Sequence, residues 1–192
     1  MQRIVIIIIF IALALGGCSE EASKVEVLKQ TATKEIAIGL RYREYAERAA
    51  AEGYSNIARM FESVHHGEMY QSGAIIRILR SMGEEFSPRV DSLESIGSTR
   101  ENLYSAKASE EYSTEVIYPE VIEDFSGDTE ILNCYSILQR SDSVHRELFI
   151  RAIEILESKG SDSTLSADWR ICTRCGSVAA GAGFVSECEV CK

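Results

Sequence analysis

Residues 131–156, ILNCYSILQRSDSVHRELFIRAIEIL, set Ile131, Tyr135, Leu138, Phe149, Ala152 and Leu156 at helical spacing, with Asp142 and His145 on the same stripe. A 3.6-residue period sustained this long predicts an amphipathic helix with one buried face. An acid and a histidine three residues apart share that face. A buried, unpaired carboxylate is costly, so an acid here implies protonation, a cation partner or a metal.

Working outward, three more stretches read the same way. The first carries Leu28, Ala32, Glu35, Gly39, Tyr42, Ala46 and Ala49. The second carries Ile57, Phe61, His65, Glu68, Ser72, Ile75 and Leu79. The third carries Leu93, Ile96, Leu103, Ala106, Glu110, Ser113, Ile117 and Val121. Breaks fall at Gly53, at Gly83 to Asp91 with Pro88, at Ser126-Gly127-Asp128, and at Gly160. Pro119 predicts a kink in the third helix. Each stripe has one central acid. Glu35 and Glu68 lie 33 residues apart and Glu110 and Asp142 lie 32 apart, as if one helical hairpin occurred twice. Antiparallel hairpins would bring all four acids to one level of a four-helix bundle.

Composition agrees with this class. The 192-residue chain is 45% hydrophobic and 26% charged, as a folded globular protein is, and has only 2 prolines. Its 30 acidic against 20 basic residues give a formal charge of −10, which excludes nucleic acid as a partner.

The C-terminal residues carry a second pattern. Cys172-x2-Cys175 and Cys188-x2-Cys191 are two knuckles that complete a tetrahedral S4 site. So short a tail has too little core to fold alone, so metal would supply most of its folding energy. Iron, a structural zinc, and two disulfides in an exported chain are the alternatives at this point. Ser161 to Asp168 reads as a polar linker. Cys134, beside Ile131 and Leu138, reads as a small buried hydrophobe.

At the other end, Arg3 precedes an apolar run, Ile4 to Leu15, closed by Gly16-Gly17. That run is shorter than the roughly 18 apolar residues of a membrane span and fits an export signal. Leu15-Gly16-Gly17-Cys18 resembles a bacterial lipobox, which implies lipidation of Cys18 after cleavage. The expected organisation is a signal peptide at 1–17, a lipidated tether at 18–23, a bundle at 24–160, a linker at 161–168 and a metal domain at 169–192. The product would be a membrane-anchored lipoprotein on the periplasmic or cell-surface side.

The four stripe acids with Asp142-x-x-His145 resemble the di-iron plan of ferritin-like bundles. The chain is similar to the rubrerythrin family in particular, through Tyr42 seven residues after Glu35, through Tyr118-Pro119 after Glu110, and through the bundle-then-tail order. The resemblance implies an all-α ferritin-like four-helix bundle with a small C-terminal rubredoxin-like domain. It implies di-iron ligands Glu35, Glu68, Glu110, Asp142 and His145, with Tyr42 and Tyr118 hydrogen-bonded to ligand carboxylates. It also implies a tetrathiolate iron at Cys172, Cys175, Cys188 and Cys191, where zinc is the alternative. Two positions depart from the family pattern. Gln71 stands where a histidine is usual and Ser113 where a glutamate is usual, which leaves His65 and Gln71 as candidate substitute ligands. The implied activity is reduction of hydrogen peroxide, with electrons relayed through the tail iron from an extracytoplasmic donor, in a homodimer. The alternative is a non-catalytic metal-binding or electron-transfer lipoprotein with a degenerate bundle site. A third reading is a structural bundle with a zinc ribbon.

Overall fold

The computed structural model describes the backbone of residues 2–90, 95–181 and 187–192, and the side chains of the same segments from residue 23 onward. Five helices, a π-helical turn and two short strands follow in order. They are α1 (Gln2–Ala51), α2 (Ser55–Ser81), α3 (Thr99–Tyr112), the π turn (Ser113–Ile117), α4 (Tyr118–Asp124), α5 (Thr129–Lys159), β1 (Trp169–Ile171) and β2 (Val178–Ala180). α1 pairs with α2, and α3 through α4 pack along α5, giving a four-helix bundle.

Among the described residues, two of the buried apolar clusters lie along the bundle with the polar layer between them. One holds Tyr42, Tyr45, Phe61, Leu103 and Phe149. The other holds Leu28, Ala32, Ile75, Leu79, Tyr118, Tyr135 and Leu138. In every long helix the stripe acid falls between a residue of one cluster and a residue of the other, so both ends of the acidic layer are sealed from water. The aromatic group of the first cluster is tightly interlocked, with Tyr42 and Phe149 edge to face at 5.3 Å.

The third stripe differs from expectation. α3 begins only at Thr99, because Ser98 and Glu101 form a reciprocal capping box. Ile96 therefore precedes the helix and is exposed, while Leu93 lies outside the described residues. Pro119 does not simply kink a continuous helix. The π turn inserts one residue ahead of it, and Pro119 enters at the start of α4, where its missing N–H costs little. The inserted residue also rotates the inward face: Tyr118 becomes wholly buried, while Ile117 and Val121 are only half-buried.

At the N-terminus the helical backbone of α1 runs without a break through residues 18–23, read from the sequence as a tether. Glu20, Glu21 and Ala22 are good helix formers, and no proline or glycine interrupts them. The side chain of Cys18 lies outside the described residues. Among the described residues, no helix is long and apolar enough to cross a membrane.

The linker is more than a spacer. α5 closes at Gly160, in the left-handed conformation. Asp162 then turns back, and its Oδ2 accepts from the backbone N–H of Asn56 (2.6 Å) and Ile57 (3.0 Å), capping α2. Leu165 is buried in the first cluster. β1 and β2 pair antiparallel, Trp169 opposite Ala180. Trp169 and Ile171 pack on the same bundle cluster, and Val178 is buried within it.

Candidate metal centres

Glu35 of α1, Glu68 of α2, Glu110 of α3, and Asp142 and His145 of α5 are wholly buried. Single ligand atoms of Glu68, Glu110, Asp142 and His145 lie within 4.8 Å of one another. Glu35 stands outside that group and joins it through Tyr118, whose hydroxyl lies 2.9 Å from Glu35 Oε1 and 2.6 Å from Asp142 Oδ2. The Tyr42 hydroxyl donates a short hydrogen bond to Glu110 Oε1.

The orientation of His145 follows from its neighbours. Nε2 is 3.1 Å from the Gly176 carbonyl, which can only accept, so Nε2 carries the proton. That leaves Nδ1 as the ring nitrogen facing the site, 2.8 Å from Glu68 Oε1. The unpartnered buried atoms include Glu35 Oε2, both oxygens of Glu68, Glu110 Oε2 and His145 Nδ1. Burying so many lone pairs without donors is unfavourable unless a cation satisfies them.

The electrostatics say the same. Burial, reinforced by Asp142 and by other carboxylates, pushes Glu68 and Glu110 well above the usual carboxylate range. Burial raises Glu35 too, although the Lys34 ammonium opposes the shift. Hard carboxylate oxygens with one imidazole suit iron, among other first-row metals.

The two substitute-ligand candidates have other partners. His65 lies outside the group: its Nδ1 donates to the Gly39 carbonyl at 2.8 Å, across to α1. Burial lowers its pKa, so it is a neutral strut between helices. Gln71 borders the site as a donor, its Nε2 reaching Asp142 Oδ1 at 2.8 Å and Ser141 Oγ at 3.1 Å. His66 points outward beside Glu62.

In the tail, the sulfurs of Cys172, Cys175, Cys188 and Cys191 also lie within 4.8 Å of one another. Cys172 and Cys191 are 3.6 Å apart, and Cys175 and Cys188 are 3.5 Å apart. All four are free thiols, so the paired-disulfide reading fails. These separations approach the edge of a sulfur tetrahedron around one ion, about 3.8 Å for metal–sulfur bonds near 2.3 Å. Burial opposes ionisation of Cys172, but the N–H groups of Cys175 and Arg174 and the neighbouring thiols outweigh it and bring the thiol down to about 7. The donor set is that of a tetrathiolate iron, or of zinc. Cys134, by contrast, is packed beside the second apolar cluster, and burial pushes it up to about 12.

The two centres touch. Gly176, at φ +80° in the first knuckle, lies against Gly67 of α2 so closely that a Cβ on either would meet the other's carbonyl. That approach brings the Gly176 carbonyl to His145. Reading the stripes did not find Gly67, Lys34 or Asp162. A glycine interrupting α2 beside the acid layer was the available signal for the first. Lys34 sits beside the stripe acid of α1, a signal left unused. Nothing local marks Asp162 as a cap for a helix a hundred residues away.

The rubrerythrin family model matches residues 26–153. Nigerythrin from Nitratidesulfovibrio vulgaris (strain Hildenborough) is 25% identical over 171 residues, 88% of this chain and 82% of that protein. The solved structure of nigerythrin in its fully reduced, all-ferrous state superposes with a TM-score of 0.76 at 24% identity, covering 87% of this chain and 81% of the other. The partially reduced state gives 0.74 at 25% identity, covering 87% and 80%. A ligand-bearing helical bundle, a tetrathiolate tail and a family match spanning most of the bundle lead to one conclusion: the chain belongs to the rubrerythrin family.

Proposed function

We propose that the protein is a rubrerythrin-like di-iron oxidoreductase that reduces hydrogen peroxide outside the cytoplasm, with electrons delivered through its tetrathiolate tail. The observation that carries this reading is the convergence of unpartnered, wholly buried ligand atoms on one layer of the bundle. Ferrous iron held there would supply the two electrons that, with two protons, convert hydrogen peroxide to two waters.

The chain's own groups have these roles. Glu35, Glu68, Glu110 and Asp142 would hold the irons as carboxylate ligands, Glu68 with both of its oxygens unpartnered. His145 offers Nδ1, fixed in that tautomer by the Gly176 carbonyl. Tyr42 and Tyr118 orient the carboxylates through their hydroxyls, as partners beyond the ligands do in metal sites generally. The two apolar clusters keep bulk water from the layer. The four tail cysteines would hold the iron that passes electrons on singly. From Cys175 through Gly176 to His145, a covalent step and one hydrogen bond join the two centres within a single chain. The family resemblance also implies a homodimer, which remains part of the proposal. Lipidation of Cys18 would anchor the protein, and the donor would be a membrane or extracytoplasmic redox carrier.

The second reading, a non-catalytic electron-transfer lipoprotein, draws on Gln71 and Ser113 standing where ligands are usual. One preparation separates them. The chain is loaded anaerobically with iron, metals per chain are counted, and visible spectra are recorded before and after peroxide. Three irons with rapid spectral change and turnover support the peroxidase. Tail iron alone, without turnover, sinks it.

A further inference from the structure

Among the described residues, a cation sits in the acid layer. Lys34 Nζ donates to Ser113 Oγ at 2.8 Å, lies 3.5 Å from Glu35 Oε1, and sits 4.9 Å over the Tyr118 ring. Its side chain is only 28% exposed. These contacts gather at the Glu35 end of the layer. The other end holds the atoms that converge: Glu68, Glu110, Asp142 and His145. The layer is therefore lopsided, with a compact four-residue donor group at one end and an ammonium beside a lone carboxylate at the other.

We infer that Lys34 makes the two metal positions of the bundle unequal, its ammonium competing with a metal ion for the Glu35 end. This rests on the metal-centre reading above. Formal charge shows why. Counted with every carboxylate deprotonated, as metal binding requires, four carboxylates and one ammonium total −3. A first divalent ion at the convergent end brings this to −1, and a second must enter beside an ammonium and leave +1. Without Lys34 the same series runs −4, −2, 0. Like charges a few ångströms apart in a buried site repel strongly, so the second ion binds more weakly or displaces the lysine side chain outward. Asp142 adds to the asymmetry: one of its oxygens accepts from Gln71 and the other from Tyr118, while both oxygens of Glu68 are unpartnered. Lys34 is a positioning residue that sets how many ions the bundle retains.

The test uses the full chain in detergent, stripped of metal, and titrated with manganese(II) while the free-ion EPR signal is followed. Manganese prefers oxygen and nitrogen donors over thiolates, so it reports on the bundle rather than the tail. The wild type is expected to take a first equivalent tightly and a second at least about tenfold more weakly. Lys34→Met keeps the apolar stem and removes the charge. It should tighten the second step by about tenfold or more relative to the first, while Lys34→Arg retains the gap. Two equal steps in the wild type, or equal shifts of both steps in Lys34→Met, overturn the inference. If neither protein binds manganese, the metal-centre reading fails and the inference with it.

Discussion

Replacing Gly67 by alanine should undock the tail from the bundle. Helix propensity alone predicts the opposite, a gain of up to about 1 kcal/mol for alanine over glycine in a helix interior. The tertiary contact reverses that sign. The new Cβ would fall inside contact distance of the Gly176 carbonyl and 3.2 Å from both Cε1 and Nε2 of His145. Neither a backbone carbonyl nor a wholly buried ring can yield as a flexible side-chain tip would. Relief to ordinary contact moves the knuckle out by about 1 Å, and the 3.1 Å His145–Gly176 hydrogen bond lengthens past any useful geometry. Overpacking costs about 1–3 kcal/mol and the lost hydrogen bond about 1 kcal/mol, so the docked arrangement is disfavoured by a net of roughly 1–3 kcal/mol once propensity is credited. Trp169, the single tryptophan, packs half-buried on the bundle and reports the change by fluorescence. The expected results are a red-shifted emission and a loss, by roughly tenfold or more, in the rate at which the reduced tail passes electrons to the bundle. The tail should keep its metal, because the four cysteines are untouched, while the bundle loses the hydrogen bond that orients His145. Unchanged emission with an unchanged transfer rate would refute the claim that this glycine pair carries the docking.

Three further outcomes are expected. Asp162→Ala removes the acceptor of two backbone N–H groups at the start of α2, and should lower stability by about 1–2 kcal/mol in urea unfolding; a change below a few tenths would count against the cap. Tyr118→Phe frees Glu35 and Asp142 from their shared hydroxyl, and should weaken bundle metal binding by about 10–100-fold in a competition titration while the tail metal is retained. In the metal-free protein, Glu35, Glu68 and Glu110 titrate above their unfolded value of 4.5, so the folded state holds protons that the unfolded state releases. Their stabilising contribution is complete below about pH 4.5 and is lost as pH rises through the folded values, so urea midpoints should fall from pH 5 to 8. Metal loading should flatten that slope, and a midpoint that rises with pH in the stripped protein would contradict it.

Much of the centre was legible in the chain. The helical period identified the four stripes, and a charged residue in the middle of each apolar stripe is rare enough to stand out without a structure. Glu35, Glu68, Glu110, Asp142 and His145 are buried at the places their stripes assign them. The cysteine knuckles needed only their spacing. The third stripe misled only past Ser113, at Ile117 and Val121, because one inserted residue in a π turn changes which side chain faces inward without altering the apolar pattern around it. His65 misled for another reason: a histidine on a buried stripe satisfies itself as well on a neighbouring carbonyl as on a metal.

What the sequence determined by itself is whatever depends on neighbours along the chain: the helices, the acid in each, the Asp142–His145 pair and the two thiol knuckles. Periodicity and short loops fix these, because their geometry spans only a few residues. The tertiary structure alone decided how the pieces meet. It set Asp162 on the start of α2, Gly67 against Gly176, the Gly176 carbonyl on His145, and the Lys34 ammonium at one end of the acid layer. Those contacts join residues dozens to a hundred positions apart. They rest on close approach and on the placement of single charges, which leave no periodic trace in a sequence.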